Sequence, residues 1–274
     1  QPRMKQTFKK IIPPPVWQFA RDTYDSIKRI PELPEAYLHP WRRESIRRLA
    51  ELKDIHKGQR AFIIGNGPSL KQTDLTKLKN EFTFGLNRIY LLFPELGFTT
   101  TYFCAINDLV IEQFADEILG LPIPKFLAWR SHRHFNPNLP ITQLPTFIYT
   151  SYTGPRFSSD VRGRVWEGAT VTTLALQLAF HMGFEKIILI GVDHNFTSKG
   201  DANKVVVSDG DDPNHVSPDY FGKGVKWQLP DLDTSEVGYI MAYEAYRKAG
   251  REIVDATIGG KLTVFPKVDY NSLF

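Results

Sequence analysis

Three groups of residues have the types and spacing needed to act on a phosphate-bearing ligand. The first is Phe62 to Leu70, FIIGNGPSL, an apolar stretch running into Gly65-Asn66-Gly67-Pro68-Ser69. A glycine turn after a buried strand lets backbone approach a phosphate, and a helix N-terminus beyond it offers unpaired N–H groups with the favourable dipole direction. The spacing misses the dinucleotide G-x-G-x-x-G, with Ser69-Leu70 where the last glycine would fall, and it lacks the Gly-Lys-Ser/Thr of a P-loop. Ordinary NAD binding and P-loop ATP hydrolysis are therefore not supported. A tight structural turn is the plain alternative.

The second group is polar without being acidic. Asn87 and Asn107 each end an apolar run, where an amide can read hydroxyls, phosphates or base edges without adding charge. Turn capping is the ordinary role for either one. Arg164 precedes Gly168 with Glu167 between them, a place from which a guanidinium can grip phosphate or carboxylate oxygens in pairs. Arg156 and Arg162 compete for that role on the same stretch.

The third group could move a proton. Asp193 and His194 follow the apolar run Lys186 to Val192, and His215 closes Asp211-Asp212-Pro213-Asn214-His215. Either imidazole suits general-base work near neutral pH, and an aspartate at a strand end alternatively caps the next turn. Asp209, Asp211 and Asp212 lack calcium-loop spacing, and a single cysteine with histidines out of metalloprotease order makes no zinc site. No tightly held metal or cofactor is expected; magnesium is allowed for without being essential.

These groups need elements to hold them. From Gly58 onward short apolar runs alternate with amphipathic stretches, the pattern of β-α units around a mainly parallel sheet. Strands are predicted at Ala61–Ile64, Thr83–Asn87, Tyr102–Asn107, Lys125–Trp129, Thr146–Tyr149, Lys186–Asp193 and Glu252–Asp255. Leu70–Leu78 is predicted as a short helix or helical turn, and helices are predicted at Leu109–Leu119, Gly168–Met182 and Ser235–Ala249. The irregular segments Trp129–Val165 and Thr197–Leu232 read as functional loops, the first as a lid or acceptor-side segment. Residues 1–57 read as a helical appendage interrupted by Pro13 to Pro15, Pro31, Pro34 and Pro40, with helices over Val16–Ile30 and Trp41–Leu52. The division is thus 1–57 and 58–274.

Composition sets outer bounds. The 274 residues are 42% hydrophobic, enough for one large domain. No apolar run approaches the roughly 20 residues that span a bilayer, and no n-region and h-region open the chain. Cys104, in YFCAI, reads as a buried strand residue, and a reducing cytoplasm is expected. The net charge of +4 is mild, with Lys5, Lys9, Lys10, Arg42, Arg43, Arg47, Arg48, Lys53 and Lys57 concentrating the excess before Gly58. That segment suits either a solvated helix face or peripheral contact with acidic lipid. Nucleic acid is not expected as a partner; a homo-oligomer is allowed for.

Taken together, Gly65 to Leu70, Asn87, Asn107, Arg164 with Gly168, and Leu189-Ile190-Gly191-Val192-Asp193 resemble the bacterial lipooligosaccharide sialyltransferases. They resemble equally the wider group holding motility accessory factor glycosyltransferases and MptE-like hydroxymethylpterin diphosphokinase proteins. The stretches Gly191 to Phe196 and Asp255 to Leu262 look like motifs of MptE-like members found beside surface-polysaccharide functions. The resemblance runs through much of Gly58 to Asp269 and implies a single Rossmann-like domain. By analogy with the sialyltransferases it implies CMP contacts at Asn66, Gly67, Ser69, Asn87 and Asn107, and a phosphate or sugar-carboxylate role near Arg164. The catalytic histidine those enzymes carry before their last long helix is missing from Gln228 to Asp233 here, and their phosphate-assisting tyrosine falls near His194-Asn195. His194 or His215 would then move the proton, Asp231 or Asp233 would serve as base, or the donor chemistry differs. A diphosphokinase would want an Asp-x-Asp-like pair after the third strand, where this chain has Asn107-Asp108.

The leading expectation is a cytoplasmic α/β glycosyltransferase that takes a CMP-activated sugar, with a nonulosonic acid among the candidates, to a glycan or lipid-linked acceptor in surface polysaccharide biosynthesis. The alternatives are pyrophosphate transfer from ATP and a nucleotide-binding scaffold without turnover.

Overall fold

In a computed structural model, residues 14–195, 200–210, 212–217 and 219–274 are described, the side chains of 14–19, 21 and 22 excepted. Lys5, Lys9, Lys10, Pro13, Phe196 and Asp211 lie outside the described residues. Seven strands form one sheet: β1 (Arg60–Ile64), β2 (Phe82–Leu86), β3 (Tyr102–Ala105), β4 (Lys125–Ala128), β5 (Thr146–Ile148), β8 (Lys186–Ile190) and β11 (Glu252–Asp255). Their order is β11-β8-β1-β2-β3-β4-β5, and every neighbouring pair is parallel. Both faces of such a sheet are covered, which is why Phe62, Ile63, Ile187, Ile188 and Leu189 are apolar in succession rather than alternately. The fold is α/β and Rossmann-like.

The chain builds outward from β1 to β5, then crosses to the other side of β1 for β8. The β1/β8 junction is therefore the switch point, where loops diverge and leave a crevice beyond the strand ends. Three helices frame it: α4 (Asp108–Gly120), α5 (Val171–Met182) and α6 (Leu232–Lys248), which follow α1 (Pro14–Arg29), α2 (Leu33–Leu38) and α3 (Pro40–Glu51). Every residue of α5 except Phe180 is buried, as its run of Leu, Ala, Thr and Val requires; it ends at Gly183, left-handed at φ 93°.

Four features refine or differ from the sequence-based expectation. The short helix or helical turn expected at Leu70–Leu78 is two 3-10 turns, Pro68–Gln72 and Leu75–Leu78, separated where Thr73 becomes extended. Between Trp129 and Val165 the expected strand, β5, is joined by a two-residue parallel pair, β6 (Thr150–Ser151) with β7 (Val165–Trp166), so that segment is anchored at several points. The second polar segment contains an antiparallel hairpin, β9 (Val205–Val207) and β10 (Lys226–Gln228). Finally, α3 is part of the domain core. Leu49 joins the main apolar cluster, Trp41 stacks on Phe147 with 6.1 Å between ring centres, and Ser45 Oγ accepts a 2.9 Å bond from Phe147 N–H.

Cys104 is fully buried, and burial raises its thiol pKa far above the usual range, so it is held as an inert strand residue. Among the described residues no helix is long and apolar enough to cross a membrane.

Candidate functional site

A cleft of about 840 Å³ opens beyond the strand ends, lined by the turns after β1, β2, β3 and β8, the first turns of α5 and α6, and the segment from Asn203 to Leu229. Its floor is the contact between the two central turns. Gly65 N–H donates to the Ile190 carbonyl at 2.8 Å and Gly67 N–H to the Gly191 carbonyl at 2.9 Å. Ser69 gives both its N–H (3.1 Å) and its hydroxyl (2.7 Å) to the Asp193 carboxylate. The groups expected to cradle phosphate are thus already used within the protein, and Asp193 takes the place an anion would occupy. Glycine is needed for the close approach of two backbones: a Cβ at Gly65 would meet the Gly191 carbonyl oxygen at 2.2 Å, and one at Gly67 would meet Asp193 Oδ2 at 1.8 Å. The 3-10 turn beyond is also too short to develop a helix dipole.

Asn66 and Asn87 are placed differently. Asn66 donates through its amide nitrogen to the Leu86 carbonyl at 2.8 Å, which fixes its orientation and leaves Oδ1 buried with no partner. Asn87 sits in the left-handed region at φ 48°, its side chain lies beside the Tyr220 hydroxyl, and its Oδ1 is likewise buried and unpartnered. Both residues line the cleft. Asn107 instead caps α4, accepting from Leu109 N–H at 3.0 Å and Val110 N–H at 3.4 Å. The capping alternative describes it, although it too borders the cleft.

Arg164 does not line the cleft. It secures the rim segment from behind, donating to Ser151 Oγ at 2.7 Å and to the Thr153 and Gly154 carbonyls at 3.0 Å each. The arginine inside the cleft is Arg130, which pairs with buried Glu167, donates to the Ile106 carbonyl at 2.6 Å, lies 4.4 Å over the Tyr152 ring and keeps an unpartnered buried Nε. Burial disfavours its charge, but Glu167 more than offsets this and its pKa is raised overall. Sequence reasoning passed over Arg130 because Glu167 lies 37 positions away and no local pattern joins them.

Gly168 adopts φ +55° and Ala169 φ +54°, turning the chain sharply into α5. Gly168 itself faces Thr173, whose hydroxyl would lie 3.0 Å from an added Cβ. Ala169, Thr170, Val171 and Thr172 line the cleft, so the N-terminus of this twelve-residue helix opens on it. A helix of this length does present an anion-favouring end. The Tyr239 hydroxyl lies beside Thr170 and Thr172, and burial raises its pKa.

The two candidate histidines occupy different walls. His194, in the left-handed region at φ 52°, gives Nε2–H to Glu236 Oε1 at 3.0 Å and packs edge-on to Tyr239. A non-glycine residue in that conformation stores strain of the kind concentrated at working sites. His215 gives Nδ1–H to both Asp212 oxygens at 2.8 Å and stacks on Tyr220 at 3.9 Å. Its neighbour Val216 bonds to the Asn66 carbonyl, which places His215 beside the two asparagines. Asp231 is the N-cap of α6, accepting from Thr234 N–H at 3.0 Å and Thr234 Oγ1 at 2.9 Å. Its carboxylate lines the cleft but is engaged by the cap.

Comparison with known proteins adds to this geometry. A search of curated proteins found no match. A solved structure described as MAf glycosyltransferase from Magnetospirillum magneticum AMB-1 superposes with a TM-score of 0.45 at 17% identity, covering 85% of this chain and 39% of that one. The chain thus spans about two fifths of that protein's length, and so distant a likeness carries nothing further. A family model described as 6-hydroxymethylpterin diphosphokinase MptE-like matches residues 41–199, more than half of the 274-residue chain, from the start of α3 to just beyond the Asp193 turn. The chain belongs to the MptE-like family.

Proposed function

We propose that the protein is a glycosyltransferase taking a sugar, with a nonulosonic acid among the candidates, from a CMP-activated donor to a hydroxyl of a surface-glycan acceptor. The observation that carries this reading is the pair of buried, unpartnered amide oxygens, Asn66 Oδ1 and Asn87 Oδ1, at the switch-point cleft. Leaving a buried acceptor unmet costs about 1–3 kcal/mol, so two in one cleft favour a ligand that brings donors. Ribose hydroxyls and the amino group of cytosine are such donors. The donor phosphate would lie at the N-terminus of α5 with Arg130 beside it, where helix dipole and guanidinium offset charge on the departing CMP.

His194 borders that end through Tyr239. With Nε2–H given to Glu236, the neutral ring carries its lone pair on Nδ1. The acceptor hydroxyl would pass its proton there as its oxygen bonds to the anomeric carbon and the bond from that carbon to the phosphate oxygen breaks. His215 lies on the nucleoside side and would act on binding more than on the chemical step.

Pyrophosphate transfer from ATP, suggested by the family's name, would call for acidic ligands to a cation on the phosphates. Asp108 instead accepts from Ser131 at 2.8 Å, from His134 at 3.1 Å and from Arg133. Among the described residues no three His, Cys, Asp or Glu side chains converge to hold a metal ion, so a magnesium on ATP would rest on fewer side chains and on the phosphates themselves.

Thermal denaturation with added nucleotides tests the proposal. CMP and CTP should raise the melting temperature, and Asn87→Ala should weaken that response by roughly 5- to 10-fold in ligand concentration, the worth of one hydrogen bond of about 1 kcal/mol. A response to ATP with magnesium and none to cytidine nucleotides would move the assignment to the diphosphokinase.

A further inference from the structure

Away from the cleft, the outer face of α1 and α2 leaves large apolar side chains in solvent. Tyr24, Ile27 and Ile30 are each more than half exposed, Leu38 is 70% exposed, and Leu33 lies among them. The face is not basic throughout, since Asp25, Glu32 and Glu35 sit on the same elements. Lys28 lies over the Tyr24 ring at 4.7 Å, and further positive charge gathers where the helix ends. Arg29, at the end of α1, donates to Thr153 Oγ1 at 2.7 Å and to Ser26 Oγ at 3.0 Å. A Cβ added to Gly154 would lie 3.2 Å from a terminal nitrogen of Arg164 and 3.5 Å from one of Arg29, so the two guanidinium groups meet at this glycine. Arg156, exposed on the same loop, is close enough that it and Arg29 depress the Arg164 pKa, after burial as the larger cause.

Among the described residues no carboxylate forms an ion pair with Arg29, Arg156 or Arg164, and Glu32 accepts from the Tyr149 hydroxyl at 3.3 Å. Two guanidinium groups that meet at one glycine without a counter-charge, with Arg156 exposed on the same loop, call for an oxyanion, and the planar fork of arginine suits phosphate in particular. Beside them lies an unpartnered apolar face, the combination that seats a segment in the headgroup layer of a bilayer.

We propose that the α1–α2 face docks on a membrane surface, with Tyr24, Ile27, Ile30 and Leu33 among the headgroups and a lipid phosphate held by Arg29, Arg156 and Arg164. Because Thr153 bonds to Arg29 and itself lines the cleft with Tyr152 and Pro155, docking brings the cleft rim to the lipid surface. If the glycosyltransferase reading holds, an acceptor carried on a lipid would reach the site there. The docking does not depend on that reading, and its test uses neither nucleotide nor turnover.

The test is sedimentation of the full chain with phosphatidylcholine vesicles, with and without phosphatidic acid. Binding is expected only with phosphatidic acid. Arg29→Gln combined with Arg156→Gln should weaken it roughly 10- to 30-fold, and Ile27→Glu with Ile30→Glu should remove it. Should the arginine double variant lose its melting transition, Arg156→Gln alone carries the comparison, because that side chain is exposed. No binding, equal binding to neutral vesicles, or equal binding by the arginine variants would overturn the proposal. So would a melting-temperature response to inorganic phosphate without vesicle binding, which would assign the arginines to a soluble anion.

Discussion

His194→Ala is expected to lower sugar transfer by on the order of 10²- to 10⁴-fold while leaving the affinity for CMP nearly unchanged. The magnitude is that of a positioned general base. The separation of rate from affinity follows from its place: His194 sits beside α6 and Tyr239, whereas the unpartnered asparagine oxygens belong to the turns after β1 and β2. Glu236→Gln should give a smaller loss in the same parameter, because it acts only by holding the ring through the 3.0 Å bond to Nε2. His215→Ala should act mainly on KM, since its ring stacks on the Tyr220 that contacts Asn87. Asp231→Ala serves as the control. Loss of an N-cap costs about 1 kcal/mol of stability and should leave the rate alone. Steady-state kinetics on the four variants separates these outcomes, and an unchanged rate in His194→Ala with a large fall in His215→Ala would reverse the two assignments.

The largest stability effect is expected from Gly65→Ala. Its new methyl would lie 2.2 Å from the Gly191 carbonyl oxygen and 2.7 Å from the Gly191 carbonyl carbon. Both are backbone atoms at the junction of two central strands, so relief means shifting β1 against β8 and lengthening the 2.8 Å bond from Gly65 N–H to Ile190. Overpacking of this kind typically costs 1–3 kcal/mol, and with backbone on both sides about 3 kcal/mol or an unfolded chain is expected. Gly163→Ala, where an added methyl meets nothing within 4 Å, should be close to neutral. Chemical denaturation of both variants makes the comparison. A Gly65→Ala protein as stable as wild type would show that the two turns are not packed as described.

This sharpens what the glycine turn is for. From the sequence, GNGPSL reads as a phosphate cradle, because glycines after a strand and before a helix have that use. In the fold, its N–H groups serve β8 and Asp193, 124 residues away from Ser69, a partnership that no local pattern could disclose. Asn66 and Asn87 were legible for a simpler reason: amides at the ends of apolar runs project beyond a parallel sheet wherever the strands end. The Gly168 turn was legible too, but its consequence, a cleft-facing N-terminus of α5, depends on which helix is long enough to carry a dipole.

Arginines were the least readable residues. Arg164, singled out by its place before Gly168, binds the carbonyls of its own rim, while Arg130 enters the cleft on the strength of a distant glutamate. A long side chain with five donors reaches partners set by tertiary structure, and its neighbours in sequence say little about them. The strand set was readable almost throughout because each buried parallel strand is a continuous apolar run. Hairpin β9–β10 was not, since its residues are half-exposed and lie among turn formers.

The central claim is that nucleotide binds at the β1/β8 switch point with its phosphate at the N-terminus of α5. Determining the structure of the protein with CMP tests it most directly. The account predicts phosphate oxygens within hydrogen-bond distance of backbone N–H groups in Val171–Thr173, and donors of the nucleoside on Asn66 Oδ1 and Asn87 Oδ1. Phosphate bound at Ser69 with Asp193 displaced, or CMP bound outside this cleft, would contradict it.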